Sequence, residues 1–316
     1  MNEYRGKHAP STPWPVASSA SVPVRTARHL RKNKHRRIKW ILLLIFLLLL
    51  AVWPFLEARI LTTDQVILKS EALPADANHL RVVFLSDIHW GFWYTDGDLG
   101  RLVATVNSLR PDLVIFGGDY ATDHDSALRF FKTLQSLPKI HARYGIFGVP
   151  GESDCGEDAQ DRTLLKEAMS NAGITPLFNS SERILIGSGK ICIAGIDDVI
   201  GGKPDLKAVV ASVSDADYVI FVAHNPSIIP EIQLTRDASG SLNWLHLGLF
   251  GHTHGGQMKL FSSLLGIAED VPERYLSGWF TENRVDLLVS RGIGTSVFPG
   301  RFLCPPQIHL IEIVAY

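Results

Sequence analysis

The hydrophobic pattern begins with one long apolar run and continues as short apolar runs that alternate with helical patterns. The long run extends from Trp40 to Leu56 and contains no charged residue. Short apolar runs bounded by turn residues predict buried strands. The strand candidates are Leu80–Leu85, Leu113–Phe116, Tyr144–Val149, Ile184–Ile186, Lys190–Ala194, Tyr218–Ala223, Leu245–Phe250, Val285–Val289 and Ile308–Val314. Many strands with few long helices between them indicate a layered α/β sandwich.

Two segments differ from this series. Leu99 to Leu109 has apolar residues at helical spacing and is followed by Pro111, which predicts a helix that ends before the proline. Residues 60–79 are interpreted as a connecting segment between the long apolar run and the first strand. The chain shows no internal repeat.

The run from Trp40 to Leu56 is predicted to be an uncleaved transmembrane anchor. Its length of about 17 residues is at the short end for a bilayer span, and Trp40 and Trp53 lie near its ends, as interfacial aromatic residues do. No small-x-small cleavage site follows it cleanly. The chain is therefore divided into a disordered basic tail (1–39), an anchor (40–56) and one folded domain (57–316).

Charge is segregated along the chain. Residues 1–39 hold ten Lys and Arg residues and one acid, Glu3, and carry about +9, so the remainder carries about −10. Beside an apolar run, a basic head is a membrane-topology signal, and no nucleic-acid partner is expected. Because the basic flank precedes the span, we expect a single-pass protein of the plasma (inner) membrane with a cytoplasmic N-terminus and an extracytoplasmic domain.

The three cysteines do not indicate a cysteine-based site. Cys155, Cys192 and Cys304 are odd in number and lack the spacing of a Cys-x-x-Cys pair. Neither a disulfide framework nor a thiolate zinc site is therefore expected.

Polar residues of the metal-binding type follow the C-terminal ends of the predicted strands. The set consists of Asp87, His89, Asp119, Glu152, Asp154, His224, His252 and His254. Open α/β sheets bind ligands at this edge because the loops after the strands converge there. A carboxylate and an imidazole two residues apart point the same way on an extended segment, so Asp87 and His89 can reach one cation. His252 and His254 repeat that spacing.

The ligand types restrict the metal. Carboxylate and imidazole ligands without thiolate suit Mn, Fe or Zn better than calcium. Glycines at positions 117, 118, 151, 251, 255 and 256 allow sharp backbone turns beside the site. The remaining histidines of the domain lack a setting of this kind and are interpreted as surface or packed residues: His79, His124, His141, His246 and His309.

The order of these motifs resembles the calcineurin-like metallophosphoesterase superfamily. The series is Asp-x-His, Gly-Asp, a Gly-x-x-Asp loop, an isolated His, and Gly-His-x-His. The segments 251–257, 194–198 and 291–296 resemble more narrowly the membrane-associated, YaeI-like and YkuE-like branch of bacterial phosphodiesterases, which includes enzymes that hydrolyse UDP-diacylglucosamine. The resemblance extends over residues 60–316 and implies a four-layer αββα sandwich of two β-sheets with helices outside them.

The resemblance also implies how seven ligands divide between two metal ions. The first ion would be held by Asp87, His89, Asp119 and His254. The second would be held by Asp119, Glu152, His224 and His252. Asp119 would bridge the two ions.

One loop departs from the family pattern. The family usually has Gly-Asn-His-Asp or Gly-Asn-His-Glu where this chain has Gly151-Glu-Ser-Asp154. Glu152 can replace the Asn as an oxygen ligand. Ser153 is the predicted catalytic residue in place of the His, but it can only donate a hydrogen bond to phosphate. Loss of general acid–base help typically slows a reaction by about 10²–10⁴-fold.

The predicted activity is hydrolysis of a phosphodiester or pyrophosphate by a hydroxide that bridges two divalent ions. A lipid-linked substrate such as UDP-diacylglucosamine is favoured, because two apolar stretches, Trp90–Tyr94 and Leu260–Ile267, follow ligand motifs close to a membrane anchor. Packing of both stretches in the core is the alternative interpretation. A catalytically impaired protein that retains the fold and binds metal or phospholipid in a regulatory role is the alternative function, and the change at 152–153 motivates it.

Overall fold

The computed structural model describes residue 13 and residues 25–213, 216–258, 268 and 270–316. Contacts divide the chain into two compact units, Met1–Ala51 and Val52–Tyr316. Both sheets and every element after the first helix belong to the second unit.

The first helix, α1 (Arg25–Glu57), contains the predicted anchor. Its stretch His35–Glu57 is long and apolar enough to cross a membrane. The helix begins at Arg25 rather than at Trp40, so part of the tail that we expected to be disordered is helical. Arg, Lys and Leu are good helix formers, and such residues dominate the segment before Trp40.

Twelve strands and five further helices follow in the described residues. The strands are β1 (Thr62–Ser70), β2 (Leu80–Leu85), β3 (Leu113–Phe116), β4 (Ile146–Gly148), β5 (Thr175–Pro176), β6 (Ser180–Ile186), β7 (Gly189–Gly195), β8 (Tyr218–Ala223), β9 (Leu247–Phe250), β10 (Gly278–Glu282), β11 (Val285–Val289) and β12 (Gln307–Ala315). The helices are α2 (Asp96–Ser108), α3 (His124–Ser136), α4 (Ala159–Asn171), α5 (Leu206–Ser212) and α6 (Ile229–Leu234).

The strands form two six-stranded sheets. The first has the order β1-β12-β2-β3-β4-β5 and the second the order β10-β11-β9-β8-β7-β6. In each sheet the strands that lead to candidate ligands run parallel, β2 with β3 and β4, and β8 with β9. Their C-terminal ends therefore lie at one edge of each sheet.

Side chains along each strand alternate between the two faces of its sheet, and this alternation divides the core into three layers. In β8, Ile220 and Val222 face the cluster between the two sheets, whereas Val219 and Phe221 face the cluster that includes α5 and α6. In β2, the side chains of Val83 and Leu85 pack in a third cluster with α2, α3 and α4. Period-two alternation places successive side chains on opposite faces. The result is helices, sheet, sheet and helices in succession, which confirms the predicted four-layer αββα sandwich.

The nine predicted strands all occur, with ends shifted by a few residues in some of them, and three further strands were not predicted. The unpredicted strand β1 (Thr62–Ser70) lies in the segment that we interpreted as a connection. It is a half-exposed edge strand, and it pairs in parallel with β12 more than 200 residues later. The hydrophobic pattern of an edge strand is weak, because only part of it is buried.

Candidate metal centre

The structure brings all seven predicted metal ligands to the shared edge of the two sheets. They form three overlapping groups, and the ligand atoms within each group lie within 4.8 Å of one another. The groups are Asp87, His89 and His254; Glu152, His224 and His252; and Asp87, Asp119 and His224. The first sheet supplies the residues after β2, β3 and β4, and the second sheet supplies those after β8 and β9.

The first group is compact and buried. His89 Nε2 lies 3.0 Å from His254 Nε2 and 3.3 Å from Asp119 Oδ2. His254 Nε2 lies 3.9 Å from Asp87 Oδ1. Two ring nitrogens and carboxylate oxygens therefore converge on one small volume.

The third group connects the other two, because it shares Asp87 with the first and His224 with the second. His224 Nε2 lies 3.5 Å from Asp119 Oδ2 and 4.0 Å from Asp87 Oδ1. On the other side, His252 Nδ1 lies 3.2 Å from Glu152 Oε2. Asp119 thus lies between His89 of one group and His224 of the other.

The backbone at the ligands is unusual. Five of the seven have positive φ: Asp87 at 54°, His89 at 44°, Asp119 at 52°, His252 at 69° and His254 at 49°. Few non-glycine residues adopt this region, and such residues cluster at functional sites. From their spacing we expected the Asp-x-His and His-x-His pairs to lie on extended segments. The positive φ values show that this expectation was wrong. Their side chains converge because both members of each pair turn into the left-handed region.

Hydrogen bonds between the loops hold this backbone in place. The Asp87 amide donates to the Gly118 carbonyl at 2.9 Å, and the His252 amide donates to Asp87 Oδ1 at 2.7 Å. Gly118 itself has φ 88°, and a Cβ there would lie 2.6 Å from the Gly151 nitrogen. A side chain at position 118 would therefore push the loops after β3 and β4 apart.

The unpartnered atoms of the site fit divalent cations. Asp87 Oδ2, His224 Nε2 and Glu152 Oε2 are buried and make no hydrogen bond. The contacts of Glu152 Oε2 with His252 and of His224 Nε2 with Asp119 are ion-pair contacts without hydrogen-bond geometry. His224 Nδ1 donates to the Gly117 carbonyl at 2.8 Å, which leaves the Nε2 lone pair directed into the site. Buried polar atoms normally have partners, and metal-binding histidines typically donate their other nitrogen to a carbonyl or carboxylate. The residues therefore suit two ions such as Mn, Fe or Zn.

The site concentrates opposite charges away from water. Burial raises the pKa of the Asp87 carboxyl. Burial acts in the same direction on Asp119, but the imidazoles of His224 and His89 outweigh it and lower the pKa of Asp119. Burial opposes the charged form of His224, yet its carboxylate neighbours raise its pKa. Burial lowers the pKa of His254, and the neighbouring His89 adds to this effect, so a neutral His254 imidazole is available to a metal.

The altered loop after β4 contacts the carboxylate of Asp119. Ser153 donates from its amide to Asp119 Oδ1 at 3.0 Å and from its hydroxyl to Asp119 Oδ2 at 3.2 Å. Asp154 is fully buried and accepts from the amides of Asp119, Tyr120 and Gly151 at 2.8–2.9 Å. Asp154 therefore fixes the loops after β3 and β4 to each other, whereas Glu152 points to His252.

Asp270 is a residue of the site that the sequence did not single out. Its Oδ1 lies 3.1 Å from His252 Nε2, and its Oδ2 accepts from the Asn225 amide nitrogen at 2.6 Å. Asn225 directly follows His224 and is fully buried. One carboxylate thus contacts the candidate ligand His252 and the residue that follows the candidate ligand His224. No spacing in the sequence joins Asp270 to the Gly-His-x-His motif, so only the fold identifies it.

Arg301 is a second such residue. Its fully buried guanidinium donates to the carbonyls of Gly294, Arg291 and Cys304. One of its nitrogens also lies 3.3 Å from His254 Nδ1. Arg301 therefore ties the loop after β11 to the back of a candidate metal ligand.

The aromatic stretch Trp90–Tyr94 divides between the core and the surface. Trp90 and Tyr94 pack against the cluster of the first sheet, whereas Phe92 is 83% and Trp93 50% exposed. The second apolar stretch, Leu260–Ile267, lies outside the described residues. Among the other histidines, His309 is packed and lies 3.2 Å from Asp64, and His79 is exposed, in accord with our interpretation of them as packed or surface residues.

Comparison with known proteins gives a family and several relatives. The sequence model of the calcineurin-like phosphoesterase family matches residues 80–256, more than half of the chain. The matched region begins with β2 and ends just after the His-x-His motif, so it contains all seven candidate ligands.

Three relatives illustrate the similarity. The uncharacterized metallophosphoesterase YkuE of Bacillus subtilis is 29% identical over 82% of this chain and 87% of its own length. The phosphodiesterase YaeI of Escherichia coli is 27% identical over 76% of this chain and 84% of its own length. A transmembrane protein with metallophosphoesterase domain from Danio rerio is 32% identical over 60% of this chain and 43% of its own length.

Proposed function

The chain belongs to the calcineurin-like phosphoesterase family, and we propose that it hydrolyses a lipid-linked phosphodiester or pyrophosphate at two divalent metal ions. The family and its relatives place it among the phosphoester hydrolases, which use a dinuclear metal site. We propose three further points: the nature of the substrate, the identity of the ions and the roles of single residues.

The observation that carries the proposal is the convergence of seven ligands from two sheets on one buried site with unpartnered atoms. We assign Asp87, His89, Asp119 and His254 to one ion. We assign Asp119, Glu152, His224 and His252 to the other. Asp119 would contribute to both ions in this assignment, because its Oδ2 lies within 3.5 Å of imidazoles assigned to each of them.

When bound, two such ions supply Lewis-acid activation of water and neutralise the charge of the phosphate oxygens. The residues of the chain orient these ions and the substrate. Asp154 fixes the loop that carries Glu152, and the hydroxyl of Ser153 lies at the bridging carboxylate, where it can also reach a phosphate oxygen. Neither Ser153 nor Glu152 supplies a proton donor equal to the usual histidine, so we expect good leaving groups to be favoured.

A lipid-linked substrate is supported by features of the sequence and of the surface. Helix α1 contains a stretch that can cross a membrane, and the exposed aromatic residues Phe92 and Trp93 follow the Asp87–His89 motif directly. A nucleotide leaving group on a lipid, as in UDP-diacylglucosamine, also departs without strong acid catalysis. We place residues 57–316 outside the cytoplasm and the N-terminus inside it.

The test is metal content and turnover of the purified full-length protein. We expect about two transition-metal ions per chain, and Mn-dependent hydrolysis of bis-p-nitrophenyl phosphate. Asp119→Asn should lose both ions and the activity, because a neutral amide is a poor bridge between two cations. Asp237→Asn is the control and should retain both, because Asp237 is a partly exposed residue whose carboxylate accepts from Ser239 and Ser241 and not from any candidate ligand.

Two results would contradict the proposal. One ion or none per chain would exclude a dinuclear site. Two bound ions without turnover of activated or lipid-linked esters would instead support the regulatory alternative, in which the protein binds metal or phospholipid but does not hydrolyse it.

A further inference from the structure

Four large apolar side chains are exposed on two loops close to the end of helix α1. Phe92 is 83%, Val297 73%, Leu303 56% and Trp93 50% exposed. The rings of Phe92 and Trp93 contact each other with centroids 4.8 Å apart. Isolated exposed apolar residues are common, but a group on neighbouring loops marks an interaction surface. We call these four residues the apolar rim.

The two loops of the apolar rim meet at one groove. Its lining includes Trp93 from the first loop, Pro299 from the second, and Ala58 and Leu61 from the segment that follows α1. The charged side chains of Arg59, Asp98 and Arg101 line the same groove. The rim is therefore continuous with the exit of the chain from the helix, rather than scattered over the molecule.

The second loop is bound to the last turn of α1. The ring of Phe55 packs on that of Phe298 with centroids 5.5 Å apart. The amide of Arg301 donates to the Pro54 carbonyl at 2.9 Å. The loop and the end of the helix are therefore fixed to each other by packing and by the backbone.

Glu57 adds two further bonds at the same turn. Its carboxylate is buried and accepts from the amides of Leu303 and Cys304 at 3.1 and 2.6 Å. It also accepts from the indole of Trp53 at 2.7 Å. A buried carboxylate with three donors is strongly held, so the loop cannot separate from the helix end without losing these bonds.

The turn from Trp53 to Glu57 is the end of the stretch that can cross a membrane. If this stretch spans the bilayer, residues packed on its last turn lie at the level of the headgroups. Trp and other aromatic side chains are favoured at that level, and Phe92, Trp93, Val297 and Leu303 include two aromatic and no charged residues. The bilayer is thus the occupant that the position and chemistry of the rim favour.

The same loop reaches the metal centre. Arg301 contacts His254 Nδ1 at 3.3 Å, and the amide of Ile293, which also lines the groove, donates to the Asp87 carbonyl at 3.2 Å. A few residues that contact or hydrogen-bond one another therefore connect the end of α1 to the candidate ligands.

We propose that the apolar rim is inserted in the headgroup region of the membrane and holds the metal centre at the bilayer surface, where a lipid-linked phosphoester is reached without leaving the membrane. This proposal rests on the proposed function for its choice of substrate. The insertion itself requires only the rim and the span.

The experiment measures membrane depth in the full-length chain in phosphatidylcholine nanodiscs. A nitroxide label is placed on a cysteine substituted by Phe92→Cys or Val297→Cys, and the wild-type chain corrects for labelling of its own cysteines. Leu234→Cys is the matched control, because Leu234 is equally exposed at 79% but lies on α6. Circular dichroism reports whether the label at Phe92→Cys or Val297→Cys perturbs folding. If one of them does, Trp93→Cys is used in its place.

We expect the ratio of collision rates with oxygen and with a water-soluble nickel chelate to be severalfold higher at the rim positions than at Leu234. Ratios equal to that at Leu234 would overturn the proposal. Labels shielded from both reagents would also overturn it, because they would indicate a protein partner on the rim. Neither collision rate depends on metal bound at the candidate ligands or on turnover of a substrate. A negative result here therefore leaves the proposed hydrolysis standing, and loss of the hydrolysis would leave the insertion standing.

Discussion

Asp270 contacts the proposed second metal position although we do not assign it as a ligand. Its two oxygens contact the side chains of His252 and Asn225, and Asn225 is the neighbour of His224. Carboxylates that accept from a ligand imidazole fix its orientation and raise its basicity. Asp270 is therefore a positioning residue for His252 in our assignment.

We predict that Asp270→Ala weakens metal binding at the second position by about 10–100-fold, the usual effect of losing such a partner. Binding at the position of Asp87, His89 and His254 should change little, because Asp270 contacts none of them. Mn²⁺ titration followed by electron paramagnetic resonance separates the two affinities. Asp237→Ala is the control, and equal affinities in wild type and Asp270→Ala would show that Asp270 has no part in the site.

Our proposal assigns the leaving-group preference of the site to position 153. Ser153→His restores the usual residue, and we predict faster hydrolysis of diesters with poor leaving groups, where proton donation matters most. Activated p-nitrophenyl esters should gain little, because their leaving group needs no proton. Kinetics on one activated and one unactivated diester provide the measurement. Equal gains on both diesters would refute the leaving-group argument.

Glu152→Ala is the companion variant at the same loop. It removes the carboxylate that lies 3.2 Å from His252, so it should lower occupancy of the second metal and slow both diesters together. If the protein is instead a regulatory relative without turnover, Ser153→His alone will not produce hydrolysis.

At the scale of elements, the ligands connect the two sheets. Asp87 and Asp119 follow strands of the first sheet, and His224 and His252 follow strands of the second. Without bound cations, buried carboxylates and unpartnered atoms face one another across this boundary, which is unfavourable. Metal binding should therefore stabilise the packing of one sheet on the other.

We predict that chelation of the metals lowers the unfolding temperature of the domain. A ligand present at 100 times its dissociation constant stabilises the folded state by about 2.7 kcal/mol. Thermal unfolding of the full-length chain before and after treatment with a chelator gives the measurement. Asp119→Asn should show a much smaller difference, and an unchanged wild-type unfolding temperature would mean that the ions do not couple the sheets.

The elements also show where sequence reasoning succeeds. Strands such as β8 are continuous apolar runs because both faces are buried, so their position can be predicted from hydrophobicity alone. The candidate ligands follow such strands, and their order along the chain is diagnostic. The edge strand β1 was missed because its partner is β12, at the far end of the chain. The positive φ of Asp87 and His252 was also missed, because it arises from bonds between loops of different strands.

At the scale of the whole molecule, charge fixes the expected orientation in the membrane. The ten basic residues of positions 1–39 precede the span, and the segment directly after it contains only Arg59 and then Lys69 as basic residues. Positively charged flanks are retained in the cytoplasm. The span ends at Glu57, and that residue is bound within the domain by the amides of Leu303 and Cys304. The side of the membrane on which the span ends is therefore the side on which we expect the candidate metal centre.

We predict that residues 57–316 lie outside the cytoplasm. A reporter fused after Tyr316 that is active only outside the cytoplasm, such as alkaline phosphatase, should be active, and a fluorescent reporter that folds only in the cytoplasm should be dark. Moving the positive charge is the matched control. Neutralising the eight basic residues of positions 25–39 while adding lysines after Ile60 should invert both signals, because the charge difference across the span sets the topology. A bright cytoplasmic reporter at Tyr316 in the unaltered chain would reverse the orientation. It would then place the metal centre on the side where nucleotide-linked lipids are made, and the substrate would have to be sought there.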